Sequence, residues 1–325
     1  MNLEEYKTTL QVLSKELEKF DGNKADKKKD VLTQMFETVY KSGVLNISYL
    51  NREEQDIFKL ELFTTLSKHS GTLAFLIIQI LAAYNIMAKN RFAKFEYYKK
   101  QHCGIAINHL RAPTTYVWAT KVDDGYELTG KLTWASGYEI FDSLCVGFHY
   151  DGFEYEAMAP FKNTDGFRIL ETDKTFVGFG LNTVSISLER FFIPDEDIVS
   201  CNELGSYTKQ KSASKTVHFC LYGLGELALE YITNPLQTIA QQKLEYFKSA
   251  ILNTNDTDTL DKLRVELFLF VQETITTAMV QIGGKSILSS EILQRAYREL
   301  IMFNSNGLNT HLKDLFKEQF IENYR

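Results

Sequence analysis

The hydrophobic period of this chain changes twice, and that pattern limits the fold more than any single motif. In the first part apolar side chains recur at helical spacing: Leu3, Tyr6, Leu10, Leu13 and Leu17 share one face, and Ile57, Leu60, Phe63 and Leu66 another. No proline precedes Pro113, so long helices are permitted there. From about Gly104 the period becomes two. Val184, Ile186 and Leu188 alternate with Ser185, Ser187 and Glu189, and the Asp124–Gly125 and Asp151–Gly152 pairs read as short hairpin turns. After Cys201 the helical period returns. Val217 to Ile232 is apolar on several faces, Pro235 can start a helix, and Leu260, Leu263, Leu267, Val271, Ile275 and Ala278 form a long stripe that stops at Gly283–Gly284. Helices, then antiparallel strands, then helices predict an α+β chain of segregated layers. The expected domains are an N-terminal helical domain (1–103), a middle antiparallel β-domain (104–202) and a C-terminal helical bundle (203–325).

The polar stretch Asp21–Asp30 reads as a loop between helices. The apolar run Leu73–Ala88 is short of a bilayer span and carries Gln79 and Asn85, so a buried core helix is expected. The N-terminus has no basic and apolar leader pattern, and a cytoplasmic location is the expectation. A net charge of −6 and the lack of a basic patch argue against a nucleic-acid partner. Cys103, Cys145, Cys201 and Cys220 form no CxxC pair; buried reduced thiols are expected, and no metal site. No GxGxxG follows a strand, and GxSxG, Walker A and HExxH are absent.

Three ordered segments resemble the acyl-CoA dehydrogenase superfamily. Gly125–Gly137 (GYELTGKLTWASG) is similar to its middle-domain stretch, and the WASG ending to that of its flavin monooxygenase branch. Gly178–Pro194 (GFGLNTVSISLERFFIP) is similar to the strand segment that follows. Gln281–Gly284 (QIGG) and Gln294–Glu299 (QRAYRE) resemble the C-terminal signature.

The resemblance implies a flavin between the β-domain and the C-terminal helices, FAD first, with FMN or no flavin as alternatives. Trp134, Ala135, Ser136 and Gly137 match the segment against the isoalloxazine. Gln281, Gly283 and Gly284 match the segment that meets the dinucleotide of a neighbouring subunit, which implies a homodimer or homotetramer. Read from the residues alone, Trp134 is equally a core aromatic, Ser136–Gly137 a turn and Gly283–Gly284 a helix stop. Arg298 and Glu299 are equally ordinary charges on a helix.

The chain departs from the family at its catalytic centre. Asn306 and Gly307 stand where the family places its catalytic Glu, and an amide cannot act as a general base. Some branches of the family carry the Glu on an earlier helix, which makes Glu226, Glu230 and Glu273 substitutes among which no spacing chooses; His109 is a further catalytic candidate, and His311 reads as a surface residue. Asn234–Phe247 contains no arginine for a cofactor diphosphate, with Lys243 and Lys248 as partial substitutes. Three functions stay open: a flavin-dependent oxidoreductase acting on an acyl thioester or similar small substrate, a flavin-dependent monooxygenase using reduced flavin, and a catalytically degenerate binding or scaffold protein of the same fold.

Overall fold

The computed structural model describes residues 2–47, 50–112, 114–171, 174–209, 214–305 and 310–323. Helices come first: α1 (Leu3–Leu17), α2 (Gly22–Lys27), α3 (Lys29–Lys41), α4 (Arg52–His69), α5 (Gly71–Lys89) and α6 (Phe95–Lys99). Strands follow: β1 (Cys103–Ala106), β2 (Val117–Val122), β3 (Gly125–Ala135), β4 (Ser143–Tyr150), β5 (Phe153–Pro160), β6 (Phe167–Leu170), β7 (Val184–Pro194) and β8 (Ile198–Glu203). Helices α7 (Ser206–Lys209), α8 (Thr216–Leu229), α9 (Leu236–Leu252), α10 (Thr257–Ile282), α11 (Ile292–Ser305) and α12 (Thr310–Asn323) complete the chain. The helix–strand–helix order is therefore as the periodicity predicts.

By packing, the residues group into two compact units. One contains 1–75, 176–180 and 212–325; the other contains 76–175 and 181–211.

In the helical unit, Tyr6, Leu10, Leu13 and Leu17 of α1 are buried, as their spacing requires. On α4 the buried set is Phe58, Leu60, Leu62, Phe63, Leu66 and Ser67, whereas Ile57, expected on the inner face, is 38% exposed. Gly223 and Gly225 of α8 allow close helix packing. A Cβ on Gly223 would lie 2.8 Å from the Thr64 carbonyl oxygen of α4, and one on Gly225 2.8 Å from Leu244 of α9. The α10 stripe from Leu260 to Ala278 is buried within the chain, at 5% exposure or less for each of its six members. It is core. α5 and α10 are long and apolar enough to cross a membrane, but α5 is largely buried, as the core reading predicts.

The segment 21–30 is not a loop. Asp21 accepts hydrogen bonds from the N–H groups of Asn23 (2.9 Å) and Lys24 (3.3 Å) and so caps α2. The short helix buries Ala25 and Asp26, which the charged composition had hidden. Asp21→Ala is expected to cost about 1 kcal/mol of stability, the usual worth of such a cap, read as a lower urea midpoint with an unchanged m-value.

In the second unit, eight strands among the described residues form one sheet, in the order β6-β7-β3-β2-β4-β5-β8, with β1 beside β4. The hairpins β2–β3 and β4–β5 turn at the predicted sites, and Asp151 and Gly152 both have positive φ (46° and 79°), as a tight hairpin turn demands. The sheet is mostly antiparallel, but β1–β4 and the single β2–β4 pairing are parallel. The chain between β1 and β4 is long enough for such a crossover, a feature that hairpin signals do not report. Buried Glu154 accepts from the N–H groups of Gly205 (2.8 Å) and Tyr207 (2.9 Å); Glu156 accepts from Ser200 Oγ (2.5 Å) and from the Tyr207 hydroxyl. These two carboxylates pin α7 to β5. Cys103, Cys145 and Cys220 are buried, as expected, but Cys201, near the end of β8 at the edge of the sheet, is exposed.

Candidate functional site

The end of β3 carries the feature that needs most explanation. Leu132 pairs with Ile186 and Ala135 with Val184, so Thr133 and Trp134 together face one residue of β7. This is a bulge, and Trp134 takes the left-handed conformation at φ 60°. A bulky L-residue there costs about 1–2 kcal/mol, a position for which glycine is usual. The indole does not recover that cost by burial, being 65% exposed. Trp134 is therefore not a core aromatic.

The residues after it are turned inward. Ala135 is buried, and Ser136, 6% exposed, shares a 2.9 Å hydrogen bond with the Thr183 hydroxyl. Gly137 donates its N–H to the Leu181 carbonyl at 2.7 Å. Its φ is 87°, and a Cβ would sit 2.3 Å from the Phe141 ring, so both conformation and space require glycine.

Gln281, Gly283 and Gly284 lie together at the end of α10, in the helical unit, and are exposed. Gly283 (φ 78°, ψ −155°) occupies a region essentially restricted to glycine. Gly284 has no such constraint, and a Cβ on either glycine would meet open space. The helix-stop reading thus accounts for Gly283 but not for Gly284. The Trp134–Gly137 segment belongs to the other unit.

His109 Nε2 lies 2.8 Å from the Gly147 carbonyl oxygen. Burial pulls its pKa down to about 4, so near neutrality the ring is uncharged and Nε2–H donates. Asn306 and Gly307 lie outside the described residues. His311 is on the surface, 3.9 Å from Asp258. Glu226 accepts from the Tyr222 hydroxyl (3.2 Å), which also bonds Glu245 (3.0 Å); Glu230 pairs with Lys68 at 2.6 Å; Glu273 is exposed. Lys243 lies over the Tyr246 and Phe247 rings at 4.7 and 4.9 Å, and Lys248 is 3.4 Å from Glu245. Both substitute lysines are already engaged.

The QRAYRE segment proves to be an internal ion network. Glu299, fully buried, accepts from the N–H groups of Gly71 and Thr72 (3.2 Å) at the start of α5 and faces Arg295 at 3.3 Å. Arg295 also donates to the carbonyls of His69 (2.6 Å) and Lys68 (2.9 Å). Arg298 is bonded to Asp26, whose Oδ1 accepts from Gly178 N–H (2.6 Å) and the Thr72 hydroxyl (3.2 Å). Gly22 and Gly71 leave the room: a Cβ on Gly22 would lie 1.9 Å from Arg295. Burial pushes the Glu299 carboxyl up, against the pull of Arg295. These are paired charges, and buried ones. The i, i+3, i+4 spacing of 295, 298 and 299 was the available signal that they share a face. A surface groove of about 440 Å³ along 163–169, with Ser187 and Glu189, includes none of the candidate cofactor or catalytic residues.

For a flavin, the ring side fits: an exposed indole is held at a bulge beside a glycine turn. The open backbone at Gly283–Gly284 suits close approach of a ligand, and Lys285 adjoins it. No arginine from 234–247 is present to meet a diphosphate.

No protein-family model matches the sequence, and no curated protein matches it either. Solved structures do. A glutaryl-coenzyme A dehydrogenase in complex with glutaryl-CoA superposes with a TM-score of 0.80 at 14% identity, over 99% of this chain and 96% of that one. KijD3 in complex with FMN and a dTDP-amino-keto-sugar gives 0.74 at 13%, over 98% and 93%. XiaF from Streptomyces sp., in complex with FADH2 and glycerol, gives 0.69 at 13%, over 98% and 97%. At these identities the likeness establishes the fold, and that fold is acyl-CoA-dehydrogenase-like.

Proposed function

We propose that this protein is a flavin-dependent oxidoreductase acting on an acyl thioester or similar small substrate, with FAD preferred over FMN. The single observation that carries the reading is Trp134: a strained, solvent-facing indole in the segment that resembles the family's flavin-facing strand end. The fold adds weight, since proteins that share it were solved with FMN, FADH2 and glutaryl-CoA. When bound, the flavin would supply the hydride or electron acceptor. Trp134 would wall one side of the ring, Gly137 would keep the turn tight, and Gln281, Gly283 and Gly284 would meet the dinucleotide held by a neighbouring subunit. His109 remains the catalytic candidate: held neutral with its Nε2–H committed to the Gly147 carbonyl, it has Nδ1 to accept a proton or a hydrogen bond. We assign flavin binding to the middle β-domain (104–202) and the C-terminal helical bundle (203–325), and read 1–103 as an N-terminal helical domain. A cytoplasmic homodimer or homotetramer completes the reading; Val280, Ile287 and Leu288, all more than half exposed beside Gly283–Gly284, supply apolar surface for a second copy. The WASG ending keeps the monooxygenase reaction as the variant within this class.

A catalytically degenerate binding protein is the second reading. It is favoured by the carboxylates themselves, because Glu226 and Glu230 are held by Tyr222 and Lys68 and Asn306 cannot titrate.

Trp134→Gly separates the two. Glycine is at ease at φ 60°, so the unfolding temperature is expected to stay within a few degrees of the parent. FAD affinity, followed by quenching of flavin fluorescence, is expected to fall about tenfold, the worth of one aromatic ring contact. Unchanged affinity would remove Trp134 from the flavin site, and a failure of the parent to bind FAD or FMN would favour the degenerate reading.

A further inference from the structure

Residues 176–180 lie between β6 and β7 in sequence but pack with the helical unit. Gly178 donates its N–H to Asp26 Oδ1 at 2.6 Å, and the Phe176 carbonyl accepts from Arg298 at 2.9 Å. Asp26 is 1% and Arg298 9% exposed, and the two are bonded to each other. Gly180 presses its backbone on α2, since a Cβ there would lie 2.1 Å from the Ala25 carbonyl oxygen. Gly178 has φ 68°, so the turn also depends on glycine. With the backbone held inward, the Phe176 and Phe179 side chains are left outside, 63% and 50% exposed.

A buried ion pair is a poor source of stability, because desolvation offsets much of the attraction. This pair, however, also bonds the backbone of a segment distant in sequence, through Gly178 and Phe176, besides the bond between Asp26 and the Thr72 hydroxyl. We propose that Asp26 and Arg298 form a latch that fixes the 176–180 strap and thereby sets the outward pose of Phe176 and Phe179. The pair is a positioning device. On the strap it acts through one N–H and one C=O.

The inference is independent of flavin binding and is tested without it. In the full chain, Asp26→Leu combined with Arg298→Met removes both charges together, so neither is left buried alone. Hydrogen exchange is compared over 174–181 and, as an internal reference, over α10. The expected result is exchange at least tenfold faster in the strap, from the loss of hydrogen bonds worth more than one decade of protection, with α10 within twofold of the parent. Unchanged strap exchange would overturn the proposal, since Gly180 packing alone would then hold the segment. A uniform rise across strap and α10 would also overturn it, marking the pair as a global brace. Should the double variant fail to fold, Arg298→Lys keeps the charge beside Asp26 but lacks the forked donor. It is read by the same criterion: faster exchange confined to the strap supports the latch, and no change or a uniform change refutes it.

Discussion

Glu299→Leu is expected to lower the unfolding free energy by about 3–5 kcal/mol, the usual cost of removing one partner of a buried pair. Two losses combine. Arg295, 3% exposed, keeps its charge without its carboxylate, and the N–H groups of Gly71 and Thr72 lose their acceptor at the start of α5. Glu299→Gln is the informative control. Burial already pushes the Glu299 carboxyl up toward its neutral form, and the amide oxygen still accepts from α5, so a smaller loss is expected. Urea unfolding at neutral pH reads both. A drop below about 1 kcal/mol for the Leu variant would mean that the network contributes little to stability.

Acid is expected to destabilise the protein through His218. The ring is 3% exposed, and its Nε2 lies 2.8 Å from the Leu260 carbonyl oxygen. Burial, assisted by nearby Arg264 and Lys215, brings its pKa down to about 4, whereas an unfolded His titrates near 6.5. Between those values the unfolded chain binds the extra proton, so stability is full above about pH 6.5 and is lost as pH falls toward 4. The full swing is about 3 kcal/mol. His218→Gln keeps a donor for Leu260 but cannot titrate. The parent and the variant should therefore converge in stability, or cross, as pH is lowered from 7 to 4.5. His109, lowered in the same way, contributes equally to both proteins and cancels. A constant difference across that range would show that His218 does not titrate with folding.

The layer order and hairpins were legible because local chemistry decides them. The alternation around Val184 and the Asp–Gly turns specify strands and reversals whatever the rest of the chain does. α2 was illegible for the opposite reason. Its inward residue, Asp26, is explained by Arg298, 272 positions away, and nothing local distinguishes a buried aspartate from a solvated one. The same holds for Arg295 and Glu299, whose spacing was readable but whose inward direction was not. Ile57 fits a helical stripe by count, yet Phe58 takes the buried place beside Tyr6, with ring centroids 4.3 Å apart. At the candidate site, the resemblance pointed to Trp134 but not to its left-handed backbone. That conformation arises from the two-against-one register of β3 and β7, which depends on pairing rather than composition.

The most direct measurement is the visible absorption spectrum of the purified protein, followed by release and identification of any chromophore. Flavin bands are expected, with FAD or FMN released on denaturation. A colourless protein that takes up neither flavin on titration would contradict it, leaving an acyl-CoA-dehydrogenase-like fold without redox chemistry.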